Sequence, residues 1–156
     1  METMIDNQQK YANYREQFQR LNKALAGGFN LEAMFIEYAI IEDRTESVLR
    51  HAGLWDAYIK SRKGHGVTLN SKVTYIRKRA DSGSKLLKKY FSDDLLEQIL
   101  DWKEERNRLI HALLKQEFAP HEISTLARRG NELCRMLRSR TTSCNRASDR
   151  ERTEQN

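Results

Sequence analysis

An all-α helical bundle is the fold that the sequence predicts, and three observations predict it. Chain breakers are scarce, with seven Gly and one Pro in 156 residues, so long helices are the default. Apolar residues recur at steps of three and four through most of the chain, the spacing that lines one face of a helix. Charged residues make up 32% and hydrophobic residues 38%, which suits a water-exposed helical domain with a modest core. The length is that of one domain. The expected organisation is a helical domain over residues 1–140 and a disordered tail over 141–156, where TTSCNRASDRERTEQN carries no apolar period.

The first helix is expected over 7–26, where Tyr11, Tyr14, Phe18, Leu21 and Leu25 share a face as core or dimer packing and Gly27-Gly28 ends the run. Asn30 is the expected cap of a second helix, whose stripe runs from Leu31, Met34, Phe35, Tyr38 and Ile41 through Thr45, Val48, Leu49 and Ala52 to a stop at Gly53. A loop rich in Lys, Gly and His is expected over 60–66, a third helix over 70–79 and a short fourth over 85–91. Ser92 is the expected cap of a long helix reaching about Glu117, with Asp93 and Asp94 in the first turn where the helix dipole favours acids. A last helix is expected from Pro120 to about Arg140, with Gly130 as a weak point. The result is an antiparallel bundle of four principal helices plus short ones.

The composition excludes several classes of function. The most apolar stretch, Ala33 to Ile41, is interrupted by Glu37 and is too short to span a bilayer. No apolar run follows a basic one at the N-terminus, so no leader peptide is expected. Cys134 and Cys144 do not form a metal-ligand pair, and a reduced, cytoplasmic setting fits them. A di-metal bundle needs paired Glu-x-x-His spacings, and none occurs. No metal and no cofactor are expected.

The net charge of +6 is unevenly placed. Residues 60–90 hold ten Lys or Arg and one acid, and a concentrated basic block points to a polyanionic partner. Lys63, Lys72, Arg77, Lys78 and Arg79 of that block are the candidate RNA-binding residues. A helix-turn-helix DNA reader shares the basic block, yet does not explain the next feature.

The helix over 92–117 departs from its own pattern. Its seam reads Leu95, Ile99, Trp102, Arg106, Leu109, Leu113, with an arginine where an apolar residue belongs. Asn107 interrupts a second stripe, and His111 follows one turn later. A cation near a packing surface is costly unless it is paired or functional. At about 100° per residue, Asn107 and His111 lie roughly 40° apart, whereas Arg106 and His111 diverge by about 140°. One helix does not aim both at one atom; a cleft between two copies of the helix does, which points to a two-fold dimer.

The segment Glu105-Arg106-Asn107-Arg108-Leu109-Ile110-His111 resembles the R-x4-H signature of HEPN domains, including the Asn that often follows the Arg. The resemblance rests on this motif and on the helical layout across roughly residues 7–140. It implies a homodimeric helical bundle with the two motifs facing a shared cleft, and a metal-independent endoribonuclease of the toxin or antiviral type. On that reading Arg106, Asn107 and His111 are catalytic: His111 as general base or acid, Arg106 on the scissile phosphate, and Asn107 orienting one of them. The products are a 2′,3′-cyclic phosphate and a 5′-OH. The position two residues after the histidine, a Tyr in some HEPN toxins that an antitoxin modifies, is Leu113 here, which puts that route of regulation in doubt. RNA and an antitoxin or sensor are the partners that the resemblance implies.

Two other readings stand beside this one. Arg106 is alternatively a core arginine paired with Glu42 or Glu46, residues that otherwise support the site from the second helix. The chain is alternatively a non-catalytic HEPN domain that binds RNA or neutralises a partner.

Overall fold

In the computed structural model, which describes residues 6–155, the chain is an all-helical bundle. The helices are α1 (Asn7–Ala26), α2 (Asn30–His51), α3 (Trp55–Ser61), α4 (Leu69–Ser82), α5 (Lys85–Phe91), α6 (Leu95–Ala112) and α7 (Pro120–Glu154). Among the described residues no helix is long and apolar enough to cross a membrane.

Local chemistry sets most of the ends. Asp6 caps α1 by accepting from the Gln9 N–H at 2.7 Å, and Gly28, at φ 76°, turns the chain out of it. Thr68 and Ser71 cap α4 reciprocally, and Ser84 caps α5. Pro120 opens α7, where the Glu122 carboxylate accepts from the Ala119 N–H.

The hydrogen bonds between helices give the topology. α1 returns antiparallel on α2, with Lys10 and Tyr14 reaching Asp43 near its far end. α6 and α7 are also antiparallel: Asp93 meets Arg140, whereas Trp102 donates to the Leu126 carbonyl at 3.0 Å. α2 and α7 instead run side by side in one direction. Cys134 lies on the Glu37 carbonyl, Asn145 on Ser47 and Ser148 on the His51 carbonyl, at sequence offsets of 97, 98 and 97. The bundle is therefore antiparallel in the pairs α1–α2 and α6–α7 and parallel between its two longest helices.

α2 is the central helix and packs against α1, α3, α4 and α7. It is accordingly buried on more than one face, with Ala33, Glu37 and Ile40 covered as well as Met34 and Ile41, while Phe35, expected in the core stripe, is exposed.

Five expectations need correction. Asn30 does not cap α2 but is its first residue, and Phe29 precedes it at the cap with no side-chain hydrogen bond. The tail is not disordered from residue 141: α7 continues to Glu154 and buries Thr141, Cys144, Asn145 and Ser148 against the bundle. Its contact face is small and polar, so it carried no apolar period. α6 starts after Asp94 rather than Ser92, with the Asp93 carboxylate accepting from the Leu95 N–H at 3.3 Å. It ends at Ala112 rather than Glu117, because Pro120 drives Ala119 into extended backbone and the chain must turn first. The segment before the basic loop forms a helix, α3, too short to show a period and held by Tyr58, whose hydroxyl shares a 2.6 Å hydrogen bond with Ser71.

Candidate active site

The site lies where the second half of α6 meets the first half of α2. Arg106 is 8% exposed. Its guanidinium carbon stands 4.5 Å from the centroid of the Tyr38 ring and 5.1 Å from that of Phe35, so the cation rests on two π faces. One guanidinium nitrogen donates to Asn107 Oδ1 at 3.0 Å. Nε is buried and has no partner among the described residues.

The carboxyl beside this cation is Glu37. It is fully buried, and neither of its oxygens has a hydrogen-bond partner among the described residues. Burial pushes its pKa up to about 8, against the pull of the Arg106 charge. At neutral pH the group is therefore mostly the uncharged acid, and no ion pair joins it to Arg106. Burial also lowers the arginine's own pKa from its ordinary value, opposed by Tyr38 and Glu37, and burial, then the Glu42 charge, raises that of Tyr38. The outcome is a desolvated cation held by rings and an amide, with its charge not cancelled.

Glu37 also marks a close crossing. Gly130 of α7 lies so near that a β-carbon there would overlap Glu37 Oε2 and stand 2.7 Å from the Trp102 ring. Gly130 is thus a point where α7 closes tightly on Glu37 of α2 and Trp102 of α6, not the weak point in a helix that its propensity suggests.

His111 sits in the last turn of α6, exposed, with no hydrogen bond to it among the described residues. Asn107 is half-buried between the two. Within one chain the structure brings Asn107 to Arg106 and leaves His111 apart, as the 140° divergence on one helix requires.

The candidate supporting residues lie elsewhere. Glu42 faces Lys72, at 3.5 Å from Nζ, and Glu46 pairs with Arg50 at 2.7 Å; neither pairs with Arg106. The carboxyl in that place is Glu37. Its signal was visible as the lone charge inside the apolar run Ala33–Ile41, one helical position from Tyr38.

The basic block of 60–90 divides. Lys72 is 1% exposed and donates to the Glu42 carbonyl at 2.9 Å, and Arg77 pairs with Glu97. Lys72 is a core residue and so is not a surface contact for RNA, whereas Arg77 forms its ion pair at the surface. Lys63, Lys78 and Arg79 are exposed.

No family profile, curated protein or solved structure matches this chain. Among the described residues, no group of three or more His, Cys, Asp or Glu is placed to hold a metal ion. Cys134 and Cys144 are free and buried, and burial pushes both thiols up, Cys144 to about 11.

Proposed function

We propose that the chain is a metal-independent endoribonuclease of the HEPN type, acting as a toxin or phage-defence effector on cytoplasmic RNA. The observation that carries the reading is Arg106: a desolvated cation with no ionised carboxylate beside it, bonded to Asn107 and one helical turn and a half from an exposed histidine. Such a cation is suited to a phosphate whose charge grows in the transition state. His111, open to solvent, takes the proton of a ribose 2′-OH or gives one to the leaving 5′-oxygen. Asn107 holds the guanidinium in plane.

Because Arg106 and His111 face different ways, the working site is built between two copies, with Arg106 of one opposite His111 of the other. Exposed apolar side chains on both segments of the site, Phe35 on α2 and the fully exposed Leu114 after α6, support an interface there. A phosphate reaches Arg106 past Phe35, which is 59% exposed. An antitoxin or sensor is the partner that such an effector requires.

The test is incubation of the purified protein with RNA in EDTA, parent against His111→Ala. The expected result is cleavage by the parent only, with 2′,3′-cyclic phosphate ends and no cut at a 2′-deoxy position. Cleavage that needs a metal, or that survives loss of His111, refutes the reading. The second reading, a non-catalytic RNA-binding module, draws on the same burial of Arg106 and on the lack, among the described residues, of a hydrogen bond orienting His111. It takes over where the parent binds RNA in this assay and leaves it intact.

A further inference from the structure

We propose that a groove between α1 and α7, floored by the second half of α2, binds a single strand of nucleic acid. The groove has a volume of about 760 Å³. Six cations line it, Lys10, Arg15, Arg44, Arg135, Arg138 and Arg146, and no carboxylate does. Three of them, Arg135, Arg138 and Arg146, come from one stretch of α7 with no acid between them.

Most of this charge is uncompensated. Lys10 and Arg44 share Asp43. Among the described residues, Arg15, Arg138 and Arg146 form no ion pair, and Arg135 donates only to the amide oxygens of Asn22 and Asn131. Cations left unpaired along one concave surface attract a chain of phosphates.

The groove also offers faces for bases. Tyr11 is 69% exposed on the α1 wall. The exposed Arg138 presents its guanidinium plane, which covers the buried Phe18 ring at 4.7 Å as Arg44 covers Tyr14 at 4.2 Å. Aromatic and guanidinium planes interleaved with cations are the platform on which unpaired bases stack. The pairs Asn22–Arg135 and Phe18–Arg138 step in opposite directions along the two helices. The walls are therefore antiparallel and the groove runs along α1, about 22 Å from Asn7 to Asn22 at the helical rise.

A third observation points to a ligand. Asn145 is 8% exposed and lines the groove. Its amide N–H donates to Ser47 at 3.0 Å, which leaves Oδ1 buried with no donor among the described residues. A base N–H or a hydroxyl satisfies that acceptor. None of Arg106, Asn107 and His111 lines this groove, so the proposal stands apart from the nuclease reading.

The probe is a fluorescein-labelled 12-nucleotide single-stranded DNA, read by anisotropy. It keeps phosphates and bases and lacks the 2′-OH, so binding is measured whether or not the chain cuts RNA. The double variant Arg138→Ala/Arg146→Ala is expected to bind at least tenfold more weakly and to lower the log–log salt slope by about 1.4. Tyr11→Ala is expected to weaken binding roughly fivefold or more with the slope unchanged. Arg15→Ala, on the opposite wall, gives the same sign of effect as the double variant and guards against a folding defect in α7. Parent-like affinity and slope in all three variants overturn the proposal. So does equal displacement of the strand by polyglutamate, which assigns the groove to an acidic protein surface.

Discussion

Lys72 and Arg106 are both buried cations inside a helical seam, and the fold treats them in opposite ways. Lys72 is satisfied: its ammonium meets the Glu42 carbonyl at 2.9 Å and the Glu42 carboxylate at 3.5 Å. Arg106 has rings, one amide oxygen, an orphaned Nε and a neighbouring carboxyl that burial keeps protonated. A buried ion whose partner is present stabilises a fold little beyond its desolvation cost, yet removing one partner is destabilising. A buried ion whose partner is absent costs stability wherever it stands, and that cost is what the proposed phosphate contact of Arg106 would offset. Burial is shared by the two sites; what separates them is the state of the nearest carboxyl.

Substituting methionine at each position gives the widest separation. Arg106→Met removes the proposed phosphate contact and keeps the volume, so cleavage should fall by roughly 10²–10³-fold. Its melting transition should stay within about 1 kcal/mol of the parent, since an unpaired cation leaves with it. Lys72→Met should leave cleavage unchanged per folded molecule. Rates and melting curves measured on the same preparations decide the matter, and a stability loss at Arg106 as large as at Lys72 would erase the contrast.

Glu37 allows the comparison to be sharpened by pH. Its folded pKa of about 8 lies above the ordinary value of 4.5, so the folded state holds the proton more tightly than the unfolded one. The stabilisation is full below about pH 4.5 and is lost as pH rises through about 8, on the order of a few kcal/mol across that window. Denaturant melts of the parent should show stability declining from pH 5 to pH 8.5. Glu37→Gln, which keeps shape and cannot ionise, should flatten that decline, and a parallel decline in the variant would place its source elsewhere.

The sequence shows the fold and the cation more clearly than what surrounds the cation. Long periodic helices were legible because their stripes face one core; α3 was not, at seven residues. The end of α7 was illegible because Thr141, Asn145 and Ser148 pack with hydrogen bonds, which leave no hydrophobic period. Arg106 stood out as a break in a seam, whereas its partners came from α2, and no local rule pairs residues 69 positions apart. Charge density misled in the same way: Lys72 belongs to the most basic segment and is inside, while Arg135, Arg138 and Arg146, in a stretch without lysine, line an open groove.

The satisfied cation should reveal itself by its removal. Lys72→Met removes one donor from the Glu42 carbonyl, which keeps the Thr45 hydroxyl at 2.9 Å, and leaves the Glu42 carboxylate beside an apolar stem. Losing a hydrogen bond made by a charged group costs about 1.5–3 kcal/mol, and the partial exposure of Glu42 places the expected loss at about 2 kcal/mol. Pairing the change with Glu42→Gln should recover part of it, because the uncompensated charge is then gone. Equal loss in the single and double variants would mean that the stem's packing, not the ion pair, is what Lys72 contributes.

Gly130→Ala gives the smallest effect and probes the wall of α7 against Glu37 and Trp102. In a free helix alanine gains about 1 kcal/mol over glycine. Here the new β-carbon meets the Trp102 ring at 2.7 Å, and that ring cannot swing away without breaking the indole bond to the Leu126 carbonyl at 3.0 Å. The Glu37 carboxyl, the end of a flexible chain, can move aside, so the tryptophan sets the cost. Overpacking costs about 1–3 kcal/mol, which after the gain in propensity leaves a net loss of about 1. Combining Gly130→Ala with Trp102→Phe should turn the substitution from harmful to neutral, because the smaller ring vacates the clashing edge. If the glycine instead tolerates alanine in the parent, α7 can shift away from α2, and Glu37 is then less enclosed than its lack of partners implies.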